Sequence, residues 1–234
     1  MPKTLIIIPS YNESENIIKL IDILLSENQN TDILVVDDSS DNTADLVKNK
    51  QSTEPRLFLI KREVKSGRGT AVLEGFKFAL EKDYQKIAEM DADFSHNPHE
   101  FESLTAVSGP NIMVIGSRYL KKSKIVGWPL TRRVFSKFAN FYANLILGIG
   151  IHDYTNGYRV YDRTALEKLD LSKIRSRGYI VLSEISYQLF KKGVTFKEVP
   201  TVFVNRNRGV SNFSLKEVLE AFTSVLKIRF NIRK

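Results

Sequence analysis

The chain has 234 residues, of which 42% are hydrophobic and 26% charged, and it contains no cysteine. This composition supplies a large apolar core, so it excludes global disorder, and the missing cysteines exclude disulfides, thiolate metal sites and cysteine nucleophiles. The 35 Lys and Arg residues exceed the 27 Asp and Glu residues, giving a formal net charge of +8. Such a balance favours phosphate-bearing partners, which include nucleotides, nucleic acid and anionic membranes.

The length predicts one compact α/β domain over residues 1–234, because single cores are common below roughly 250 residues. The longest apolar runs, such as Leu145–Ile151, fall far short of the roughly 18 residues that a membrane-spanning helix needs. The N-terminal segment has the pattern of a strand rather than a signal peptide. We therefore expect a cytoplasmic protein without a spanning helix.

Short apolar runs alternate with amphipathic segments along the first half of the chain. Runs that are too short for a helix and apolar on both faces are typical of buried parallel strands. The predicted strands are Lys3–Pro9, Ile33–Val36, Leu57–Lys61, Lys86–Met90 and Asn111–Gly116. The predicted helices are Ser10–Leu25, Asn42–Lys50, Gly69–Lys82 and Thr131–Leu147. This alternation predicts a mostly parallel sheet flanked by helices, with ligands at the carboxyl ends of the strands.

The C-terminal segment, about residues 214–234, carries apolar residues at helical spacing. Its basic residues cluster near the end of the chain, at Lys227, Arg229, Arg233 and Lys234. The pattern predicts an amphipathic helix, for which two interpretations remain open. The helix either packs on the core with a solvated basic end or lies on anionic lipid.

Two acidic side chains, Asp91 and Asp93, follow the fourth predicted strand. Residues i and i+2 of an extended segment point the same way, so both carboxylates can converge on one hard cation, Mg²⁺ or Mn²⁺. A diphosphate fills the remaining oxygen sites of such an ion, which stabilises a departing nucleotide. A second acidic strand end, at Asp37 and Asp38, strengthens this interpretation, since a single pair of aspartates is a weak signal.

Eight sequence blocks follow one another over nearly the whole chain. They are Ile8–Glu13, Val36–Thr43, Met90–Pro98, Gly116–Tyr119, Gly127–Trp128 with Arg132 and Ser136, Asp153–Tyr161, Gly178–Tyr179 with Glu184, and Asn205–Arg206 with Gly209 and Ser211. In this order they resemble glycosyltransferase family two and, within it, the dolichol- or polyprenol-phosphate mannose synthases. The segment Lys65–Gly69 also resembles the family's glycine-rich turn.

The resemblance implies a GT-A fold, which is Rossmann-like, and a set of site residues. The implied nucleotide-binding residues are Pro9, Tyr11, Glu13, Asp38, Asp91 and Ala92. The implied metal ligands are Asp91, Asp93 and Ser95. The implied acceptor-phosphate contacts are Arg118, Arg132, Ser136 and Arg206, and we expect Asp91, Asp93, Arg118 and Arg132 to carry catalysis.

The resemblance further implies transfer of mannose from GDP-mannose to a dolichyl or polyprenyl phosphate, with inversion at the anomeric carbon. Such an acceptor is already an anion, so the reaction needs no general base, and arginines can guide it by bidentate contacts. The enzyme would act peripherally on the cytoplasmic face of a membrane. A separate membrane-anchoring subunit remains open.

Two rival functions differ in what they require of the sequence. A polyprenyl-phosphate glucosyl- or N-acetylhexosaminyltransferase would use a UDP-sugar; Ser95 and His96, with no predicted spanning helix, favour the mannose type. A basic nucleic-acid-binding module would interleave aromatic residues with Lys and Arg on one exposed sheet face. The sequence lacks that pattern, so we expect no nucleic-acid partner.

Other positions depart from the family pattern or lack a family role. Asn212 stands where Lys commonly follows in the mannose synthases, and Arg208 is the candidate to replace that cation. We interpret His96, His99 and His152 as loop residues, because no acidic or cysteine partner completes a zinc site.

Overall fold

The structure is a computed structural model that describes residues 3–176, 178–205 and 215–232. Its strands are β1 (Thr4–Ser10), β2 (Thr31–Asp37), β3 (Leu57–Lys61), β4 (Lys86–Glu89), β5 (Ile112–Ser117), β6 (Lys124–Val126), β7 (Arg159–Asp162), β8 (Thr195–Pro200) and β9 (Val202–Val204). Its helices are α1 (Ile17–Glu27), α2 (Thr43–Gln51), α3 (Arg68–Leu80), α4 (Phe101–Ala106), α5 (Leu130–Leu147), α6 (Arg163–Leu166), α7 (Ile180–Lys191) and α8 (Leu215–Phe230).

Seven of these strands form one sheet, in the order β3-β2-β1-β4-β7-β5-β8, and β6 pairs with β9 in a separate two-stranded sheet. The pairs β1–β2, β2–β3, β1–β4 and β5–β8 are parallel, whereas β7 is antiparallel to both of its neighbours. The mostly parallel sheet flanked by helices confirms the predicted fold class. Strand β7 is an addition that the sequence pattern did not predict.

The two faces of the sheet carry separate hydrophobic clusters, because successive side chains of a strand point to opposite faces. Along β1, Leu5 and Ile7 belong to one cluster, while Ile6 and Ile8 belong to the other. All four side chains are fully buried. Helices therefore cover both faces of β1 and leave its polar end, at Ser10, as the part that can meet a ligand.

The predicted first helix, Ser10–Leu25, is wrong at its start, because α1 begins at Ile17. Asn12 instead adopts a left-handed φ of 56°. Its side-chain oxygen accepts a hydrogen bond from the Ser40 backbone N–H at 3.0 Å, and its own N–H donates to Ser39 Oγ at 2.8 Å. These contacts join the ends of β1 and β2 and displace the helix start. The other predicted bounds in the first 150 residues lie within two residues of those observed.

The C-terminal helix α8 packs against α5 and α7. The Phe222 ring lies edge-on to the Tyr142 ring of α5, with centroids 4.6 Å apart. Arg229 donates from Nη1 to the Tyr187 hydroxyl of α7 at 2.6 Å. Among the described residues, no helix combines the length and apolar character that crossing a bilayer requires.

Candidate active site

A cleft opens where β1, β2 and β4 end and α3 begins. The six residues predicted to bind the nucleotide all line it, namely Pro9, Tyr11, Glu13, Asp38, Asp91 and Ala92. Asp93 lines it as well, together with Arg62, Lys65, Arg68 and Tyr179. At its rim, Lys65 Nζ lies 3.4 Å from the centroid of the Tyr11 ring. The fold thus gathers acidic and basic side chains around one space, as a metal-bound diphosphate requires.

Asp37 holds the ends of β1 and β2 together. Its carboxylate is fully buried and accepts hydrogen bonds from the Ser10 hydroxyl and, at 2.6 Å, from the Ser39 hydroxyl. The Ser39 backbone N–H donates to its second oxygen at 3.1 Å. With both oxygens engaged inside the protein, Asp37 is a structural residue.

Asp38 orders the loop that leads into α3. It forms a two-point ion pair with Arg62, whose Nη2 donates to Asp38 Oδ2 at 2.7 Å. The backbone N–H groups of Ser66 and Gly67 donate to the same oxygen at 3.1 and 3.3 Å. Gly67 has a φ of 90°, a conformation that favours glycine. Asp38 therefore shapes the cleft by fixing this loop.

Arg68 occupies the first turn of α3 and reaches across the floor of the cleft. Its Nε donates to Asp91 Oδ1 at 2.6 Å and its Nη1 to Glu89 Oε2 at 3.1 Å. Its Nη2 donates to the Gly157 carbonyl at 3.3 Å. A Cβ at position 157 would lie 2.0 Å from Nη2, so the chain keeps room for this guanidinium. The helix N-terminus and Arg68 together place positive charge where a diphosphate would lie.

Asp91 is an anion at neutral pH. Burial raises the pKa of its carboxyl, but the charge and the hydrogen bond of Arg68, acting together with other nearby charges, outweigh burial and hold the pKa below the ordinary value of 3.8. The charge of Arg118, in the neighbouring cluster, lowers it further. Within the described part of the chain, Asp91 Oδ2 accepts no hydrogen bond, and His96 Nε2 lies 4.0 Å away.

His96 supports the Asp91 backbone from beneath. The Asp91 N–H donates to His96 Nδ1 at 3.2 Å, so Nδ1 carries no proton. His96 Nε2 lies 2.8 Å from Asn156 Oδ1, and we assign its proton there because the Asn156 amide nitrogen donates to the Gly116 carbonyl. The ring is 1% exposed and stacks on Tyr158. His96 lies in a loop, as predicted, but it is a buried support.

The residues around Asp93 fit a divalent cation. Asp93 Oδ1 accepts the Ser95 N–H at 3.0 Å, and Phe94 turns the chain between them with a φ of 57°. The Ser95 hydroxyl is buried without a hydrogen-bond partner, as an oxygen awaiting a ligand would be. Among the described residues, no three His, Cys, Asp or Glu side chains gather into a metal site. An ion at Asp91 and Asp93 would therefore depend on further oxygens, which a donor diphosphate carries.

Arg118 lies in a second cluster, built on Asp153. Its Nε and Nη2 each donate to the Asp153 carboxylate at 2.8 Å, and Nη2 also donates to Thr155 Oγ1 at 2.6 Å. Asp153 is fully buried and Arg118 is 8% exposed. Burial raises the pKa of Asp153, but Arg118 lowers it to a net value below the ordinary one. Asp153 and Thr155 thus fix the position of the positively charged Arg118 side chain, most of whose N–H groups donate hydrogen bonds to them.

Arg132 and Ser136 lie next to Arg118 on successive turns of α5. Arg132 Cζ lies 4.1 Å from the centroid of the Trp128 ring, and Arg118 Cζ lies 5.4 Å from it. Ser136 Oγ accepts the Tyr119 hydroxyl at 2.5 Å. The structure therefore brings three of the four predicted acceptor contacts together. The fourth, Arg206, lies outside the described residues, as do Arg208 and Asn212.

Arg62, Arg68 and Tyr179 are cleft residues whose contacts sequence reasoning missed. Arg62 was not singled out because nothing in its local sequence marks it. Arg68 carried a usable signal, since it stands between two glycines at the start of a helix, next to a phosphate-type turn. Its partners, Glu89 and Asp91, lie on β4 and at its end, and only the three-dimensional pairing shows them.

The sheet order, the acidic strand ends and the cleft define a glycosyltransferase of the GT-A fold. The chain belongs to glycosyl transferase family 2, whose family model matches residues 5–170. It is 41% identical over 226 residues to polyprenol monophosphomannose synthase of Mycolicibacterium smegmatis, covering 95% of this chain and 85% of that protein. It is 35% identical to undecaprenyl-phosphate mannosyltransferase of Micrococcus luteus, covering 96% of this chain and 93% of that protein.

Solved structures share the fold at much lower identity. Glucosyl-3-phosphoglycerate synthase of Mycobacterium tuberculosis, crystallised with Mn²⁺, UDP and glucosyl-3-phosphoglycerate, matches with a TM-score of 0.67 and 19% identity. The match covers 100% of this chain and 81% of that one. Mannosyl-3-phosphoglycerate synthase of Rubrobacter xylanophilus matches with a TM-score of 0.67 and 18% identity, covering 98% and 73%. These structures establish the fold alone.

Proposed function

We propose that this enzyme transfers mannose from GDP-mannose to a dolichyl or polyprenyl phosphate, with inversion at the anomeric carbon. The observation that carries the proposal is the similarity to two mannosyltransferases of polyprenyl phosphates, each aligned over at least 95% of this chain. The structure supports it with two adjacent clusters, one acidic and one rich in arginine. The first suits the donor and the second suits an anionic acceptor.

On the donor side, the nucleoside lies against Pro9, Tyr11 and Glu13, and the loop that Asp38 orders lines the same cleft. Asp91 and Asp93, with the Ser95 hydroxyl, would hold Mg²⁺ or Mn²⁺. Such an ion would supply Lewis-acid stabilisation of the departing diphosphate. Ala92 is 3% exposed between these carboxylates, so it packs the base of the site.

On the acceptor side, the phosphate lies against Arg132 and Ser136, and the resemblance to the family assigns Arg206, outside the described residues, a contact to the same phosphate. Arg118 adds positive charge to this space while Asp153 fixes its position. Trp128 contacts both described arginines through its ring, which limits the side-chain motion lost on binding. A charged donor and a charged acceptor thereby approach each other with their repulsion offset.

The transfer is a direct displacement. An oxygen of the lipid phosphate attacks the anomeric carbon from the side opposite the diphosphate. The bond between the anomeric carbon and the diphosphate oxygen breaks, and its electron pair leaves with GDP. The attacking oxygen carries no proton at neutral pH, so the step requires no general base.

We further propose that residues 1–234 form one catalytic domain that works peripherally on the cytoplasmic face of a membrane. Support for one domain comes from α8, since Val225 belongs to the same hydrophobic cluster as Leu5 of β1. Support for the membrane comes from the net charge of +8 and from the basic residues at the end of α8. A separate membrane-anchoring subunit is compatible with this arrangement.

A donor panel tests the proposal. The protein is incubated with Mn²⁺, a polyprenyl phosphate and one radiolabelled GDP- or UDP-sugar at a time, and label in the organic phase is counted. We expect label from GDP-mannose and a product whose mass equals that of polyprenyl phosphate plus one hexosyl residue, which is a hexose less one water. If only a UDP-sugar gave label, that sugar would be the donor in place of GDP-mannose. If no donor gave label, the proposed function would be refuted.

A further inference from the structure

Helix α5 turns a row of large apolar side chains toward solvent. The row comprises Leu130, Val134, Phe138, Phe141 and Leu145, which are 74, 61, 54, 63 and 69% exposed. At 3.6 residues per turn these five side chains fall within an arc of about 80° on the helix surface. Exposed apolar residues scattered singly are ordinary, but a continuous row marks an interaction surface.

The opposite side of the same helix faces the acceptor cluster. Arg132, Ser136 and Asn140 recur every four residues and lie roughly 120° to 160° away from the centre of the apolar row. Asn140 is 3% exposed, and its side chain donates to the Ser136 carbonyl. Helix α5 therefore separates the proposed acceptor site, on its inner side, from the exposed apolar side chains on its outer side.

Basic side chains border the apolar row along one edge. Arg133 and Lys137 are both exposed and lie next to it on the helix surface. The chain that leads into α5 adds the exposed residues Lys121, Lys122 and Lys124. A helix with an apolar face and a Lys/Arg border is suited to an anionic lipid surface. Lysine is depleted at interfaces between proteins, which argues against a second copy of the chain as the occupant.

We propose that the α5 outer face, defined as the five apolar residues with Arg133 and Lys137, docks on an anionic membrane surface. The apolar side chains enter the headgroup region and the two cations meet lipid phosphates. The membrane then lies on the outer side of α5, and Arg132 and Ser136 lie on its inner side. A lipid phosphate therefore reaches the site only one helix away from the bilayer that holds its lipid chain. This inference deepens the proposed function and rests on it for the identity of the acceptor.

Vesicle sedimentation tests the docking without any sugar transfer. The full chain is mixed with vesicles of phosphatidylcholine, with or without phosphatidylglycerol, in the absence of donor and acceptor. We expect Phe141→Asp and Leu145→Asp to weaken binding to the anionic vesicles at least about tenfold each. Val64→Asp is the matched control, because Val64 is 71% exposed and belongs to the loop between β3 and α3 rather than to α5. All three positions are exposed, so the thermal midpoint should hold.

The double charge reversal Arg133→Glu with Lys137→Glu separates the electrostatic contribution to vesicle binding from the apolar contribution. It should weaken binding to vesicles with phosphatidylglycerol and leave the weak binding to phosphatidylcholine alone unchanged. Equal binding by the wild type, Leu145→Asp and Val64→Asp would overturn the proposal. A wild-type dimer that Leu145→Asp converts to a monomer would also overturn it, by assigning the face to a second copy.

Transfer assays keep this inference separate from the proposed function. With a short-chain, water-soluble polyprenyl phosphate, Leu145→Asp should retain wild-type turnover, whereas transfer to a long-chain acceptor in vesicles should fall with binding. Loss of transfer with both acceptors would count against the docking role. If the wild type binds vesicles through this face yet transfers no sugar to any lipid phosphate, the proposed function fails while the docking stands.

Discussion

Arg68 donates from Nε to Asp91 Oδ1 at 2.6 Å, which places a fixed cation beside the carboxylate proposed to hold the metal. The same guanidinium meets the fully buried Glu89, whose other oxygen accepts the Tyr161 hydroxyl at 2.7 Å. The cleft floor is therefore one connected network. Its geometry favours an Asp91 with one oxygen held and one oxygen turned to a ligand.

Replacing Arg68 should damage both stability and transfer. Arg68→Ala leaves Glu89 buried without its counter-charge, and breaking such a pair costs about 3–5 kcal/mol. We expect urea unfolding to show a loss in that range and transfer to fall at least about 100-fold. Arg68→Lys should recover part of the stability but little activity, since lysine lacks the fork that meets three partners. Wild-type stability in Arg68→Ala would contradict this account of the network.

Gly157→Ala should disturb the cleft more gently. The added Cβ would lie 2.0 Å from Arg68 Nη2 and 3.3 Å from Asp91 Oδ1, so the guanidinium must move. We expect slower transfer and a higher KM for the donor, with a modest drop in the thermal midpoint. Gly109→Ala is the control, because its Cβ would meet only Ile112 at 3.6 Å. Equal kinetics in the two variants would show that the position of Arg68 is unimportant.

Removing the metal should stop sugar transfer, because Asp91 and Asp93 are proposed to bind it. EDTA should abolish labelling, and Mn²⁺ or Mg²⁺ should restore it. Asp91→Asn and Asp93→Asn should each lose at least about 100-fold in turnover and most of their Mn²⁺ binding, measured by electron paramagnetic resonance. Asp45→Asn, an exposed acidic residue of α2, is the control. Full activity in EDTA would rule out the metal role of the pair.

The Asp153–Arg118 pair should make stability sensitive to acid. The folded-state pKa of Asp153 lies below the ordinary value of 3.8, so the pair stabilises the fold fully above that value. This contribution is lost as the pH falls through the folded pKa. Asp153→Asn should therefore be less stable at neutral pH and show a shallower loss of unfolding free energy below about pH 4. An acid limb as steep as that of the wild type would contradict the assignment.

Arg132 should matter for the acceptor more than for the donor. With a short-chain soluble acceptor, Arg132→Ala should raise the acceptor KM at least about tenfold, because it removes a charge-assisted contact to phosphate. Arg133→Ala changes the neighbouring cation on the outer side of α5 and should leave that KM unchanged. If the KM for the donor rose instead, Arg132 would be assigned to the donor diphosphate rather than to the acceptor phosphate.

Local sequence predicted the fold well where the signal is local. Short apolar runs marked β1 to β5, of which β1, β2, β4 and β5 are largely buried while the edge strand β3 is mostly half-buried. Strand β7 escaped prediction because Arg159–Asp162 pairs with β4 and β5, and nothing within four residues encodes those partners. The start of α1 was wrong for the same reason, because contacts from Asn12 to the end of β2 replace the helix.

For the site, too, local sequence predicted some residues but not the contacts that depend on distant parts of the chain. The acidic strand ends were predictable from their positions at the ends of β2 and β4. The partners of Arg118 were not, because Asp153 lies 35 residues further along the chain and meets it only in the fold. His96 shows the same limit, since its role depends on Asn156, which is 60 residues away.

A comparison of two acceptors tests whether the protein transfers mannose to a lipid phosphate. The wild-type protein is given GDP-[¹⁴C]mannose and Mn²⁺ with either a polyprenyl phosphate or the matching polyprenol, which differ only in the phosphate. We predict organic-phase label with the phosphate and background label with the alcohol. Label of the alcohol at a comparable rate, or label of neither, would contradict the account.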